Sequence, residues 1–509
     1  MNKPTVSLCL IVKNEEYFIL SCLNSVKHLV DEIIVVDTGS SDETIRLARE
    51  AGAKIFTFTW TGDFSQARNF ALEQAACDWI LFLDADEELD NIDVQDFQRL
   101  LAVPQVEGYF LTIKSYLGAG EEIAWDQVVR LFRNKPAYRF EGAIHEQVAS
   151  SIIRSKGYEG LAEAPLIIKH FGYLDTQLSE KDKYSRNTLI IKRELENNPQ
   201  DPFLLYCLAL EFYLANDVLE GLACLEKALA YLKGNEGYFE DVLFNTALGY
   251  LKLGKTETLI RFVEKSLQIL PNQPNLILLR GLAYLSQAKY QEAIDDFNST
   301  LHLGGSKVLP SSRLLSFLGD THNLAGNYSQ AETNYLAALV KAPHLLYPLT
   351  QLLGLVQKKK YAVEFDKLCQ FTTVEGKIEI WQKLVQNGEI SLSLVVLLLT
   401  IYHLVCLNAF NQELILLSEA CNALFPQLKP LYNRPESWEY LTAAVKELAF
   451  YGKVAEKEYK CSYFPLSSKL KMLLEDILFL LINEFCPLWY PSPSKQNQYP
   501  GLLQEEYDQ

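Results

Sequence analysis

Two aspartates separated by one residue, Asp84 and Asp86, follow directly on the apolar run at 79–83. At the end of an extended strand, side chains at i and i+2 point to the same side, so these carboxylates can share one small site. Carboxylates combined with phosphate oxygens are common ligands of Mg²⁺ or Mn²⁺, which can neutralise a leaving diphosphate. The spacing also occurs by chance in acidic loops, so its position after a buried strand is what predicts a metal site.

Polar residues follow two other apolar runs in the same way. The run at 6–12 precedes a polar turn at 13–16, and the run at 32–36 precedes Asp37. Ligands of open α/β sheets bind at the carboxyl ends of the strands, so we expect these groups to meet at one crevice. Asp37 needs a partner or a ligand, because a lone carboxylate after an aliphatic strand is costly. The turn after it also has a structural explanation, since Ser41 or Asp42 can cap the helix that follows.

These side chains belong to a segment in which short apolar runs alternate with amphipathic stretches, from residue 5 to about 116. The alternation is typical of βα units and a largely parallel sheet. Near-continuous aliphatic runs indicate strands that helices cover on both faces. We expect four such strands, at 6–12, 32–36, 53–58 and 79–83.

From about residue 184 the pattern is helical and repeats. Aromatic or histidine residues recur at spacings of 38, 34 and 38 residues, at Phe212, Tyr250, Tyr284 and His322. Mostly small residues recur with them in two further sets, Gly221, Leu259, Ala293, Ala331 and Ala228, Ser266, Thr300, Ala338. The pattern resembles tetratricopeptide repeats, whose period is 34 residues, and small residues let the two helices of a hairpin pack closely.

Four ordered segments near the N-terminus resemble family-two glycosyltransferases with the GT-A fold, in the branch that carries tetratricopeptide repeats behind the enzyme. The matching segments are 7–16, 33–44, 63–69 and 78–87. The resemblance implies a fold class, an α/β GT-A domain (Rossmann-like nucleotide-diphospho-sugar transferase) followed by an all-α tetratricopeptide-type solenoid. The expected domains are a GT-A domain at 1–190, repeats at 200–345, degenerate helical repeats at 346–486 and a tail at 487–509.

The resemblance also implies an activity, the inverting and metal-assisted transfer of a sugar from a nucleotide donor, for which a uridine nucleotide is the commonest carrier. It places a nucleotide site at Val12, Asn14, Glu16, Asp37, Arg68 and Asp84, with Asp37 near the base. Arg68 would meet phosphate with its planar fork. Its structural alternative is a surface salt bridge at the start of a helix.

An inverting transfer needs a general base within hydrogen-bond reach of the acceptor. Enzymes of this kind place an acidic residue after the strand that carries the paired aspartates. Glu146 is the predicted base, His145 is expected to shape the site beside it, and Asp126 is the rival. The structural alternative for Glu146 is that it begins a helix.

His170 resembles the histidine that supplies a third metal ligand in many GT-A enzymes. The predicted metal set is therefore Asp84, Asp86 and His170, for Mg²⁺ or Mn²⁺, and an imidazole suits Mn²⁺ better. The structural alternative is a histidine that only supports the fold.

Other polar and aromatic residues have weaker assignments. Lys183, Arg186 and Asn187 are expected to close over the diphosphate, or else form a solvated helix face. Trp125 and the segment at 131–133 lie where such enzymes build the sugar and acceptor pocket, with core packing as the alternative. Arg130 is a candidate beside them.

Composition limits the classes of function. The 64 acidic and 47 basic residues give a formal net charge of −17, which argues against a nucleic-acid-binding surface. The ten cysteines contain no CxxC pair, so we expect buried, reduced thiols. No signal peptide is recognised, and a cytoplasmic location is expected. The apolar stretch at 390–410 is long enough for a membrane span, but a helix buried on two sides is the expectation.

Two other functions remain open at this point. The chain could be a non-catalytic scaffold whose repeats bind a peptide or protein partner, with the front domain a relic. It could also be a nucleotidyltransferase on a similar sheet, although the glycine-rich basic opening loop of such enzymes is missing. A nucleotide-sugar donor, with a peptide, protein or glycan acceptor engaged by the repeats, is the favoured set of partners.

Overall fold

The chain forms two compact units, the first extending to Val242 and the second beginning at Leu243. The structure is a computed structural model. It describes residues 3–118, 122–174, 180–306, 308–357, 365–407, 412–431, 435–458 and 465–489. The last 20 residues of the predicted tail, 490–509, therefore lie outside the described residues.

An eight-stranded mixed sheet organises the first unit. Its strands are β1 (Val6–Val12), β2 (Glu32–Asp37), β3 (Lys54–Thr57), β4 (Trp79–Phe82), β5 (Glu87–Leu89), β6 (Gly108–Gly118), β7 (Glu122–Arg133) and β8 (Leu161–Leu174). Their order is β3-β2-β1-β4-β7-β6-β8-β5. The first four in this order are parallel, and β7 then runs antiparallel to β4. The four strands expected from the apolar runs are confirmed.

Helices cover the sheet on both faces. In chain order they are α1 (Ile19–Val26), α2 (Thr44–Glu50), α3 (Phe64–Gln74), α4 (Val94–Leu101), α5 (Ala149–Lys156), a 3-10 turn (Tyr158–Gly160) and α6 (Glu180–Asn197). Leu8 and Leu10 of β1 pack in one core with α1, α2 and α4, whereas Cys9 packs in a second core with α3 and α5. A strand buried on both faces must be apolar at every position, which explains the unbroken aliphatic runs.

Helix pairs follow the sheet domain at the predicted places. They are α7 (Pro202–Leu214) with α8 (Val218–Tyr231), α9 (Phe239–Lys252) with α10 (Thr256–Ile269), α11 (Pro274–Ser286) with α12 (Tyr290–His302), and α13 (Ser311–Leu324) with α14 (Tyr328–Lys341). Phe212, Tyr250, Tyr284 and His322 each stand two residues before the end of the first helix of a pair. The predicted register of the four repeats is therefore confirmed.

Close packing explains the small residues in these pairs. A Cβ on Gly281 would lie 2.7 Å from the Phe297 ring, and a Cβ on Gly319 would lie 2.4 Å from the Tyr335 ring. The first pair, α7 with α8, belongs to the same compact unit as the sheet.

The remaining described helices are α15 (Leu346–Gln357), α16 (Phe365–Leu368), α17 (Val374–Gln386), α18 (Ile390–Cys406), α19 (Gln412–Leu424), a 3-10 segment (Phe425–Leu431), α20 (Pro435–Glu458) and α21 (Pro465–Trp489). The former membrane candidate is α18, which is buried along most of its length in the core of the second unit. Among the described helices, none has the length and apolar character needed to cross a membrane. The predicted class, an α/β domain followed by an all-helical region, is confirmed.

Candidate active site

A cleft of ≈ 540 Å³ opens at the carboxyl ends of β1, β2 and β4. This volume lies in the range of sites that hold a whole small ligand. Many of the site residues expected from the sequence line it, namely Val12, Arg68, Asp84, Asp86, Asp126, Arg130, His145, Glu146, His170, Arg186 and Asn187. Lys13, Thr38 and Glu87 join them at the strand ends.

Two arginines hold the carboxylate of Asp84. Nη2 of Arg68 lies 2.9 Å from its Oδ1, and Nη2 of Arg130 lies 2.8 Å from its Oδ2. Burial alone would raise the pKa of Asp84, but the two guanidinium groups outweigh it and hold the pKa well below its usual range. Arg130 also bonds Glu87 at 2.8 Å, and Glu87 accepts a 2.8 Å bond from the backbone N–H of Asp84. Arg130 thus links carboxylates and does not merely fill a core.

Arg68 joins Asp84 to the predicted base. Its Nε donates to Oε1 of Glu146, and its guanidinium lies over the Phe82 ring, 4.6 Å from the centroid. The residue is only 7% exposed, so the alternative of a surface salt bridge is wrong. Arg68 extends from α3, whose first turn is capped by Asp63 accepting from the backbone N–H of Gln66. Nη1 of Arg68 is buried and has no hydrogen-bond partner among the described residues.

A short closed loop carries His145 and Glu146. Glu141 and Gln147 close it with two backbone hydrogen bonds of 3.1 Å. His145 has a φ of 53°, a left-handed conformation that is uncommon for a residue with a Cβ. Helix α5 begins only at Ala149, so Glu146 does not begin a helix. The loop turns both side chains towards the cleft.

The second aspartate of the pair faces His170. The antiparallel pairing of β5 with β8 sets Glu87 opposite His170, and Oδ2 of Asp86 then lies 3.5 Å from the His170 Nε2. Burial lowers the pKa of His170, but the hydrogen bond and charge of Asp86 outweigh it and raise the pKa overall. A Cβ on Gly172 would lie 2.2 Å from Oδ2 of Asp86 and 2.8 Å from Nε2 of His170. Gly172 thus leaves the room that this pair occupies.

The donor set at this pair fits a divalent cation. One carboxylate oxygen and one imidazole nitrogen 3.5 Å apart can become neighbouring ligands of one octahedral ion after a small shift of either side chain, with substrate phosphates and water supplying the rest. Among the described residues, no group of three His, Cys, Asp or Glu side chains is placed to hold a metal alone. The structure therefore brings together Asp86 and His170 of the predicted set, and it directs Asp84 to the arginines.

Three residues of the predicted nucleotide site have other contacts. Asn14 Oδ1 accepts from the backbone N–H of Ser41 at 2.8 Å, and Glu16 accepts from the backbone N–H of Glu43 at 3.0 Å. Asp37 is buried and accepts from the backbone N–H of Ser40 at 2.9 Å. The bonds of Asn14 and Glu16 fasten the turn after β1 to the turn after β2, and the bond of Asp37 closes the turn after β2. These side chains therefore shape the crevice. None of the three side chains lines the cleft itself, whereas Val12 does.

Of the residues with weaker assignments, some line the cleft and others do not. Asp126 is exposed at the cleft, and Arg186 and Asn187 of α6 line it, whereas Trp125 is 59% exposed and stands outside the lining. The side chain of Lys183 lies outside the described part of the chain. The sequence analysis did not identify Glu87 as a partner of Arg130. The position of Glu87 directly after the aspartate pair was a signal that it could belong to the site. It also missed Gly172, whose role depends on strand pairing.

The comparisons with known proteins concern the N-terminal domain and the helical repeats. Residues 7–159 match the family model "Glycosyl transferase family 2". The N-terminal domain is a family 2 glycosyltransferase domain. A TPR repeat-containing protein of Synechococcus elongatus is 33% identical over 267 residues, covering 52% of this chain and 66% of its own. Glycosyltransferase SunS of Bacillus subtilis is 28% identical over 244 residues, covering 47% of this chain and 57% of its own. The chain thus matches less than two thirds of either relative's length.

Solved structures are similar to part of the chain. MamA has a TM-score of 0.28 at 14% identity, covering 31% of this chain and 88% of its own. YrrB, described as a TPR protein with an unusual peptide-binding site, has a TM-score of 0.29 at 15% identity, covering 34% of this chain and 86% of its own. The family 2 domain lies ahead of the repeats, and its matched region contains Asp84, Asp86 and Glu146.

Proposed function

We propose that this protein is an inverting glycosyltransferase that moves a sugar from a nucleotide-sugar donor, with a UDP-sugar as the first candidate. One observation carries the proposal. Arg68 contacts both Asp84 and Glu146, so the carboxylates expected to face the donor and the acceptor lie on one wall of one cleft. A scaffold with a relic domain would have no reason to keep the buried side chains of Arg68 and Glu146 in register with Asp84, because buried charges are costly when any partner is lost.

In the proposed reaction Glu146 accepts the proton of the acceptor nucleophile. The nucleophile bonds to the anomeric carbon while the bond from that carbon to the diphosphate oxygen breaks on the opposite face. Arg68 keeps the Glu146 carboxylate in place, and Arg186 faces the departing diphosphate. Asp86 and His170 would hold Mg²⁺ or Mn²⁺, which when bound supplies positive charge against the leaving diphosphate.

The acceptor is proposed to be a peptide, a protein or a glycan that the helical repeats engage. The support is the repeat architecture, because stacked helix pairs present extended surfaces that suit such partners. The role of the later repeats, from α9 onwards, in acceptor choice is therefore separable from donor chemistry, which depends on the cleft.

Turnover of donors by the full-length protein tests the proposal. The purified chain is incubated with UDP-, GDP- and ADP-sugars and Mn²⁺ or Mg²⁺, and release of nucleoside diphosphate is measured. Glu146→Gln should slow release by roughly 10²- to 10⁴-fold and the matched variant Asp126→Asn should retain it; the reverse result would transfer the base role to Asp126. If no donor is bound or turned over by wild type, the enzyme proposal fails and the scaffold alternative stands.

A further inference from the structure

The first helix pair packs directly on the loop that carries the predicted base. Ala143 and Ile144 of that loop share a core with Ile191 of α6 and Leu208 of α7. The ring of Phe203, at the start of α7, meets the His145 ring edge-on, with centroids 6.3 Å apart. The repeat segment therefore supports the loop that forms part of the cleft wall, within one compact unit.

A buried carboxylate of α7 contacts a residue that lines the cleft. Glu211 of α7 is 7% exposed, and its Oε1 accepts a 2.8 Å hydrogen bond from Nδ2 of Asn187. Oδ1 of Asn187 in turn accepts from Nη2 of Arg186 at 3.0 Å and from its Nε at 3.2 Å. Arg186 and Asn187 both line the cleft, and the Arg186 guanidinium lies over the Phe64 ring, 5.1 Å from its centroid.

The donor and acceptor groups of Glu211, Asn187 and Arg186 fix the direction of each hydrogen bond in this series. An ionised carboxylate only accepts hydrogen bonds, so the amide of Asn187 must turn its NH₂ group to Glu211. Its carbonyl oxygen is then left to accept from Arg186, whose guanidinium only donates. A hydrogen bond to a charged group is also stronger than a neutral one, so Glu211 holds the amide in this orientation.

We propose that Glu211 is a positioning residue of the active site, which orients Arg186 through Asn187 towards the diphosphate of the bound donor. The inference rests on the proposed function for the identity of the ligand. It makes the first helix pair part of the donor site, whereas the later repeats are free to serve the acceptor. The donor site then extends to α7, beyond the predicted end of the domain at residue 190.

Nucleotide binding by the full-length chain tests this role. Dissociation constants are measured by calorimetry in Mn²⁺ for whichever of UDP, GDP and ADP wild type binds most tightly. Glu211→Ala should weaken binding about tenfold, roughly the effect of one hydrogen bond to a charged group. Glu211→Gln keeps an acceptor oxygen for Asn187 and should restore most of the affinity. Asn187→Ala should resemble Glu211→Ala, and the double variant should be no weaker than either single one.

A matched control separates positioning from general destabilisation. Asp320 is another buried carboxylate on a repeat helix, held by the Tyr335 and Tyr347 hydroxyls at 2.6 and 2.8 Å. Asp320→Ala should lower the melting temperature without changing nucleotide affinity. If Glu211→Ala does not fold, the Gln and Asn187 variants decide.

Different outcomes would contradict the positioning role of Glu211 and the proposed glycosyltransferase function. Wild-type affinity in Asn187→Ala and in Glu211→Ala, or additive losses in the double variant, would overturn the positioning role while leaving the glycosyltransferase proposal intact. Absence of any nucleoside diphosphate binding by wild type would overturn both.

Discussion

Arg68 donates through its Nε to the carboxylate of Glu146, and both side chains are 8% exposed. The same guanidinium reaches Asp84 through Nη2 at 2.9 Å. A planar fork can hold two carboxylates at fixed angles, which an ammonium group cannot do. Arg68 therefore couples the position of the predicted base to the position of the first aspartate.

Replacing the planar guanidinium of Arg68 by a lysine ammonium group should impair catalysis. Arg68→Lys keeps the positive charge but can reach only one of the two carboxylates, so Glu146 loses its fixed position. We expect kcat to fall by about 10- to 100-fold, the range for one or two misplaced charged hydrogen bonds, with a smaller change in donor affinity. The measurement is the steady-state rate at which nucleoside diphosphate is released from the donor.

The control for Arg68→Lys is an arginine-to-lysine substitution at an ion pair outside the cleft in which the arginine also makes two hydrogen bonds. Arg280 bonds Asp296 through Nε and Nη2 at 2.8 and 2.7 Å, on helices that do not line the cleft. Arg280→Lys should leave kcat unchanged. Equal kcat values for Arg68→Lys and wild type would contradict the coupling.

Neutralising the predicted base should separate chemistry from binding. Glu146→Gln keeps the size of the side chain and an oxygen for Arg68, but it cannot accept the acceptor's proton. We expect kcat to fall by roughly 10²- to 10⁴-fold, the usual contribution of a general base, with nucleotide affinity within about threefold of wild type. A variant that loses binding and turnover in parallel would indicate a structural role for Glu146 instead.

Adding one methyl group at Gly172 should disturb the Asp86–His170 pair. The new Cβ would lie 2.2 Å from the Asp86 carboxylate, so one of the two side chains must move. We expect Gly172→Ala to need a higher Mn²⁺ concentration for half-maximal activity, which a metal titration of initial rates measures. A Cβ on Gly237 meets nothing within 4 Å, so Gly237→Ala is the matched control. Identical metal titrations for both variants would argue against a cation at this pair.

Much of this arrangement follows from local sequence signals. The runs at 6–12 and 79–83 predict strands because a strand covered on both faces must be apolar throughout. The repeat register follows from small residues such as Gly221, whose Cβ would lie 2.4 Å from the Tyr213 ring. Both signals are local, since they depend on one element and its nearest neighbour.

The contacts that complete the site are not local. His170 meets Asp86 only because β5, which directly follows the aspartates, pairs with the last strand of the domain. Arg130 reaches Asp84 from β7, an antiparallel strand inserted beside β4. Asn14 and Glu16 were predicted to face the nucleotide, yet their nearest partners are backbone N–H groups of the neighbouring turn. Residue types predict which groups can react, but the strand order decides which groups meet.

A buried lysine in the second unit makes the free energy of unfolding depend on pH. Lys377 of α17 is fully buried, and its Nζ lies 2.8 Å from Nδ1 of His403 and 2.6 Å from the carbonyl oxygen of Thr372. Burial lowers the pKa of Lys377 to about 8, although the charges of Cys369 and Glu375 oppose it. In the unfolded chain its pKa is about 10.4. Between these values the unfolded state holds more protons than the folded state, so this group favours folding increasingly as pH rises.

Lys377→Met removes that dependence. Relative to the Met variant, wild type should become more stable from pH 8 to pH 10, by on the order of 2 kcal/mol in the free energy of unfolding, because ionisable groups shared by both chains cancel in the difference. Urea unfolding at half-unit pH steps measures it. Lys383 is exposed on the same helix, so Lys383→Met should keep the wild-type slope. Parallel curves for wild type and Lys377→Met would mean that the ammonium group keeps its ordinary pKa, held by the carbonyl oxygens that accept from it.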